Sequence, residues 1–133
     1  MKPVVFAFPG HEALAQDLAR RLDAESGRFT LRRFPDGESY LRIESELAAR
    51  SAILVVALDR PDDKLLPLLF AARTVRELGA ARVGLVAPYL AYMRQDRRFQ
   101  PGEAVTSVHF ARLLSTCVDW LGTVDPHLHR RTG

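Results

Sequence analysis

The chain has 133 residues, 47% of them apolar and 26% charged, a balance that supports one folded domain with its own core and excludes a low-complexity chain. Its formal charge of +3 permits attraction to phosphates but is too small to argue for nucleic acid as a partner. A single cysteine, Cys117, excludes an internal disulfide and a paired-cysteine metal site, and no apolar run approaches the roughly 20 residues that cross a bilayer, so the expected setting is cytoplasmic and away from membranes.

Residues 4–8, Val4, Val5, Phe6, Ala7 and Phe8, read as a short buried strand closed by the turn signal Pro9-Gly10. The run is too short for a signal-peptide core. Leu14, Leu18, Ala19 and Leu22 then recur at helical spacing, which predicts a helix over 13–22 with Arg20 and Arg21 outside. Gly27 marks a turn. Residues 29–34 and 40–44 show partial alternation about Pro35, Asp36 and Gly37, so 33–44 reads as a hairpin. Residues 53–58 predict a buried strand. Asp62 or Asp63 is expected to cap a helix through about Leu78, with Gly79 as its stop and Pro67 tolerated by lying near the first turn. Residues 82–87 predict another strand, Thr106 or Ser107 opens a helix through about Thr116, and 120–125 predict the last strand. Strands separated by helical segments point to an α/β domain with a mainly parallel sheet flanked by helices. In such sheets ligands bind beyond the carboxyl ends of the strands.

Three segments near such ends carry chemistry. Residues 88–103 follow an apolar strand and combine Tyr89, Tyr92, Arg94, Gln95, Asp96, Arg97, Arg98 and Phe99 between Pro88 and Pro101-Gly102. Guanidinium groups suit phosphate oxygens and stay charged. Gln95 both donates and accepts, as an adenine edge requires. Asp96 is placed to orient a neighbouring arginine. The plainer reading of this segment is a solvated loop of surface ion pairs. Phe34, Asp36 and Glu38 set an aromatic ring and two acids on a glycine turn at Gly37, suited to a base and its exocyclic amine, or else to an ordinary hairpin turn. Asp125, His127 and His129 alternate with Leu128, which puts both imidazoles on one side of an extended segment. A carboxylate there suits Mg²⁺, and with other ligands the set suits Zn²⁺; surface histidine is the simpler alternative. His11, His109 and Cys117 read as structural.

Taken together, the segments Arg33-Phe34-Pro35-Asp36-Gly37-Glu38, residues 88–97 and Thr123-Val124-Asp125-Pro126-His127 resemble the ribose-phosphate diphosphokinase (phosphoribosyl pyrophosphate synthase) family in order and spacing. Residues 97–103 look closer to archaeal-type members than to the bacterial form. The resemblance implies a phosphoribosyltransferase-like domain and an enzyme that transfers the β,γ-diphosphoryl group of ATP, with Mg²⁺, to ribose 5-phosphate. It implies that residues 1–133 are the N-terminal, ATP-binding domain, and that the C-terminal phosphosugar-binding domain is absent from this chain. It assigns Phe34, Asp36, Gly37 and Glu38 to the adenosine of a neighbouring subunit, hence at least a homodimer. It assigns Arg94, Gln95, Asp96, Arg97 and His127 to ATP, and His127 with Asp125 to the metal. No Asp-Asp pair in a loop of small residues follows His127, so ribose 5-phosphate is expected to bind only with the missing domain and this fragment to be inactive, as in a truncated enzyme. The alternative is a non-catalytic nucleotide-binding or regulatory module associated with such a synthase. Nucleic-acid binding is not expected, since no nucleic-acid motif accompanies the arginines.

Overall fold

The computed structural model describes residues 1–88 and 97–123. In chain order the elements are β1 (Val4–Ala7), α1 (Glu12–Leu22), β2 (Glu25–Ser26), β3 (Phe29–Arg33), β4 (Ser39–Ile43), β5 (Ser51–Val55), α2 (Pro61–Glu77), β6 (Arg82–Ala87), α3 (Thr106–Cys117) and β7 (Trp120–Thr123). Five strands form one sheet in the order β2-β1-β5-β6-β7, and every pairing in it is parallel. β3 and β4 form a separate antiparallel hairpin.

The central strands are apolar at consecutive positions because both faces of the sheet are covered. Val4, Phe6, Ala52, Leu54, Val83 and Leu85 face α2 and α3. Val5, Ile53 and Val55 face α1, against Ala15 and Ala19. Phe29, Leu31, Leu41 and Ile43 carry the hairpin onto the α2 side of the core, where the Phe29 ring meets Phe6 edge-on at 5.6 Å. On the α1 side Trp120 lies flat across β6, so close that a Cβ on Gly84 would stand 2.0 Å from its indole. Arg50 ties the sheet edge together, donating to the carbonyls of Lys2 and Glu46 and pairing with Glu25.

Several boundaries differ from the sequence-based expectation for local reasons. β2 is two exposed polar residues, Glu25 and Ser26, that join β1 through backbone alone. The hairpin ladder starts at Phe29↔Ile43, earlier than the 33–44 span. Arg60, left-handed at φ 50, precedes Pro61 at the start of α2. Asp62 and Asp63 therefore lie in the first turn, where carboxylates favour the helix dipole, and neither is the cap. Pro67 sits inside α2 and is buried, well past the first turn. β5 ends at Val55, although Val56, Ala57 and Leu58 stay buried beyond it. β7 runs through Thr123, and the rest of the expected 120–125 strand lies outside the described residues.

Candidate functional site

Parallel pairing brings the carboxyl ends of β1, β5, β6 and β7 to one edge of the sheet. From β1 the chain builds outward to β2 on one side and then to β5 on the other. That reversal is the switch point at which open α/β sheets hold their ligands. At this edge Pro9, Gly10 and His11 follow β1, Asp59 and Arg60 follow β5, and Pro88 follows β6. Ala87 and Thr123 are register partners, so the chain leaves β6 and β7 side by side, at the starts of two of the three chemistry-bearing segments.

The third segment is the turn between β3 and β4. The Phe34 N–H donates to the Glu38 carbonyl at 2.8 Å, and the Gly37 N–H to the Phe34 carbonyl at 2.8 Å. Gly37 takes φ +94, which a side chain would oppose. Asp36 Oδ1 accepts from the Glu38 N–H at 3.0 Å, and this bond holds the Asp36 carboxyl below the usual carboxylate range. One Asp36 oxygen thus shapes the turn, and its carboxyl also interacts with that of the exposed Glu38. Phe34 is 45% exposed, with its ring 6.0 Å from Tyr40 in an edge-on contact. Arg32 lies over Tyr40 at 4.6 Å. The turn is a preorganised aromatic and acidic tip whose ring stays part-exposed beside Tyr40.

Residues 97–103 form a loop organised by Glu103. Its Oε1 accepts the N–H groups of Phe99 at 2.9 Å and Gln100 at 2.6 Å, and its carbonyl accepts from Arg98 Nε at 3.1 Å. Arg97 lies over the exposed Phe99 ring at 4.8 Å, which holds a phosphate-compatible cation near the surface. Among the described residues no hydrogen bond, ion pair or ring contact joins this loop to the 34–38 turn.

A groove of about 240 Å³ runs between the two sheets at the switch point, floored by Phe8, Leu31, Val56 and Pro67 and edged by Arg33 and Lys64. Lys64 pairs with Asp59, a contact that keeps the Asp59 carboxyl below its ordinary range.

Of the residues expected at the site, Phe34, Asp36, Gly37 and Glu38 are brought together on one tip, and Arg97 begins the Glu103 loop. Arg94, Gln95, Asp96, Asp125 and His127 lie outside the described residues. His109 is exposed on α3, and His11 immediately precedes α1. Cys117 is buried, with its thiol donating to the Leu114 carbonyl. Burial pushes its pKa up, away from nucleophilic use. Sequence reasoning missed Glu103 as the organiser of its loop, and Arg33 and Lys64 at the groove. Their types are ordinary, and only their partners, up to 30 residues away for Arg33, give them meaning. Among the described residues no cluster of His, Cys, Asp and Glu could hold a metal ion, and no helix is long and apolar enough to cross a membrane.

The family model described as the N-terminal domain of ribose phosphate pyrophosphokinase matches residues 3–117. The chain is 46% identical over 96 residues to the ribose-phosphate pyrophosphokinase of Saccharolobus solfataricus, covering 71% of this chain and 33% of that protein. It is 40% identical over 125 residues to that of Methanopyrus kandleri, covering 93% of this chain and 43% of the relative. The crystal structure of phosphoribosylpyrophosphate synthetase from Mycobacterium smegmatis superposes with a TM-score of 0.84 at 26% identity, over 96% of this chain and 43% of that one. The chain therefore spans less than half the length of these relatives. The parallel sheet flanked by helices is the phosphoribosyltransferase-like arrangement expected from the resemblance. By the match over residues 3–117 and these identities, the chain belongs to the ribose-phosphate pyrophosphokinase family, in the part that forms its N-terminal domain.

Proposed function

We propose that residues 1–133 are the ATP-binding N-terminal domain of an enzyme that transfers diphosphate from ATP to the C1 hydroxyl of ribose 5-phosphate, in cytoplasmic nucleotide biosynthesis. ATP enters as its Mg²⁺ complex. Phosphoryl transfer of this kind is positioning plus charge stabilisation, and the residues of this chain supply the nucleotide half of the positioning. Phe34 stacks on adenine. Glu38 and Asp36 accept from the base or ribose, and Gly37 lets the turn close. Arg94 and Arg97 hold phosphate oxygens, Gln95 reads the adenine edge, and Asp96 orients a neighbouring arginine. His127 and Asp125 hold the Mg²⁺–phosphate end, where a carboxylate suits a hard cation. A second domain provides the ribose 5-phosphate site, so the domain alone has no transferase activity.

The observation that carries this reading is the 34–38 tip, an exposed ring beside two carboxylates on a turn closed by its own hydrogen bonds and, among the described residues, not bonded to the 97–103 loop. A tip built to contact something else supports a site completed by a neighbouring subunit, hence a homo-oligomer of at least two chains. Calorimetric titration of an oligomeric sample is expected to show saturable ATP binding that requires Mg²⁺. The absence of any Mg²⁺-dependent binding in such a sample would sink the reading.

A further inference from the structure

Along β3 the side chains that face α2 are Phe29 and Leu31, and strand alternation puts Arg33 third in that row. Arg33 itself is exposed at this end of the strand, and Pro67 provides a carbonyl for its guanidinium. Proline carries no N–H, so within α2 it cannot donate to the carbonyl four residues back, that of Asp63. Arg33 Nη2 donates to that same carbonyl at 2.7 Å. Arg33, Asp63 and Pro67 all line the groove between the two sheets. The apolar fastening of the hairpin lies at its far end, at Phe29, Leu31, Leu41 and Ile43. At the tip end the last ladder pair is Arg33↔Ser39, which buries no apolar group. The residue after Arg33 is Phe34, where the turn begins.

We propose that Arg33 is a positioning residue whose bond to the Asp63 carbonyl, an acceptor left open by Pro67 inside α2, sets the angle at which the 34–38 tip is presented. The functional half of this proposal rests on the reading of that tip as an adenine contact; the mechanical half does not.

The test combines Arg33→Met, Arg33→Lys, Pro67→Ala and the Met/Ala double variant of the full chain. It reads amide hydrogen exchange by NMR and Mg²⁺–ATP affinity by calorimetry. Arg33→Met keeps the apolar stem and removes the donors. It is expected to speed exchange at the Phe34 and Gly37 amides about tenfold, since bonds from charged donors are among the stronger ones, while Leu54 and Leu85 in the sheet are unchanged. ATP affinity should fall roughly fivefold, as expected when a contact group loses its support. Arg33→Lys restores one donor and most of both effects. Pro67→Ala returns an amide to the Asp63 carbonyl and competes with Arg33, so the double variant should be no worse than Arg33→Met alone. Additive effects, a lysine variant no better than methionine, or unchanged exchange in Arg33→Met would each overturn the proposal. If the exchange results hold but the unaltered protein binds no ATP, the brace stands and the nucleotide reading fails. If ATP binds but exchange is unchanged in Arg33→Met, the nucleotide reading stands and the brace fails.

Discussion

Phe34 and Phe6 show how one residue type serves opposite ends. Phe6 is fully buried beneath Phe29, whereas Phe34 stands 45% exposed beside two carboxylates. An exposed ring contributes little to folding, so Phe34→Ala is expected to leave the melting temperature nearly unchanged, as most surface substitutions do. The same change should weaken ATP binding about tenfold or more, because base–aromatic stacking is worth roughly 1–3 kcal/mol. Calorimetry and thermal melting on one sample separate the two effects. An equal loss of both would mark Phe34 as a packing residue. The residue types of the site were legible before any fold was known, since a ring, two acids and a glycine within five positions form a local pattern. The roles of Arg33, Glu103 and Arg50 were not, because an arginine or glutamate acquires a role only from the carbonyl or amide that the fold brings to it.

Among the elements, Asp119 is a joint. It lies between α3 and β7, accepts the Val83 N–H at 2.8 Å and pairs with Arg76 of α2 at 3.0 Å, so it links the edge of the sheet to a helix. The Val83 amide, then Arg76, hold its carboxyl below the usual range. A carboxylate depressed in the folded state adds stability that is complete above its unfolded value of about 3.9 and is lost as pH falls through the lower folded value. Asp119→Ala is therefore expected to cost about 1 kcal/mol at pH 7, with the difference from the parent shrinking below about pH 4; urea titrations at both pH values check this. Helical spacing for α1, the Gly79 stop for α2 and the Thr106 or Ser107 start for α3 located the three helices to within a few residues. β2 escaped because an exposed two-residue strand has no apolar pattern, and the start of α2 was misplaced because Pro61 at the first position outweighs an aspartate cap.

Across the whole molecule, β5 is the central strand and its Leu54 is completely buried. Leu54→Ala is expected to remove about 3 kcal/mol from a total that for such domains is only about 5–15 kcal/mol. The urea midpoint should fall while the slope of the transition stays the same; a changed slope would mean that the native or unfolded state itself had altered. The α/β class, the apolar strands, the hairpin and the family all follow from the order of residues, because periodicity, turn residues and ordered motifs are written along the chain. Packing in three dimensions was needed to establish that β2 and β5 flank β1 and that the hairpin leaves the main sheet. It was needed again to show that a proline inside a helix frees a carbonyl for Arg33. These are contacts between residues distant in sequence, and their partners are chosen by packing across the core, which no local pattern encodes.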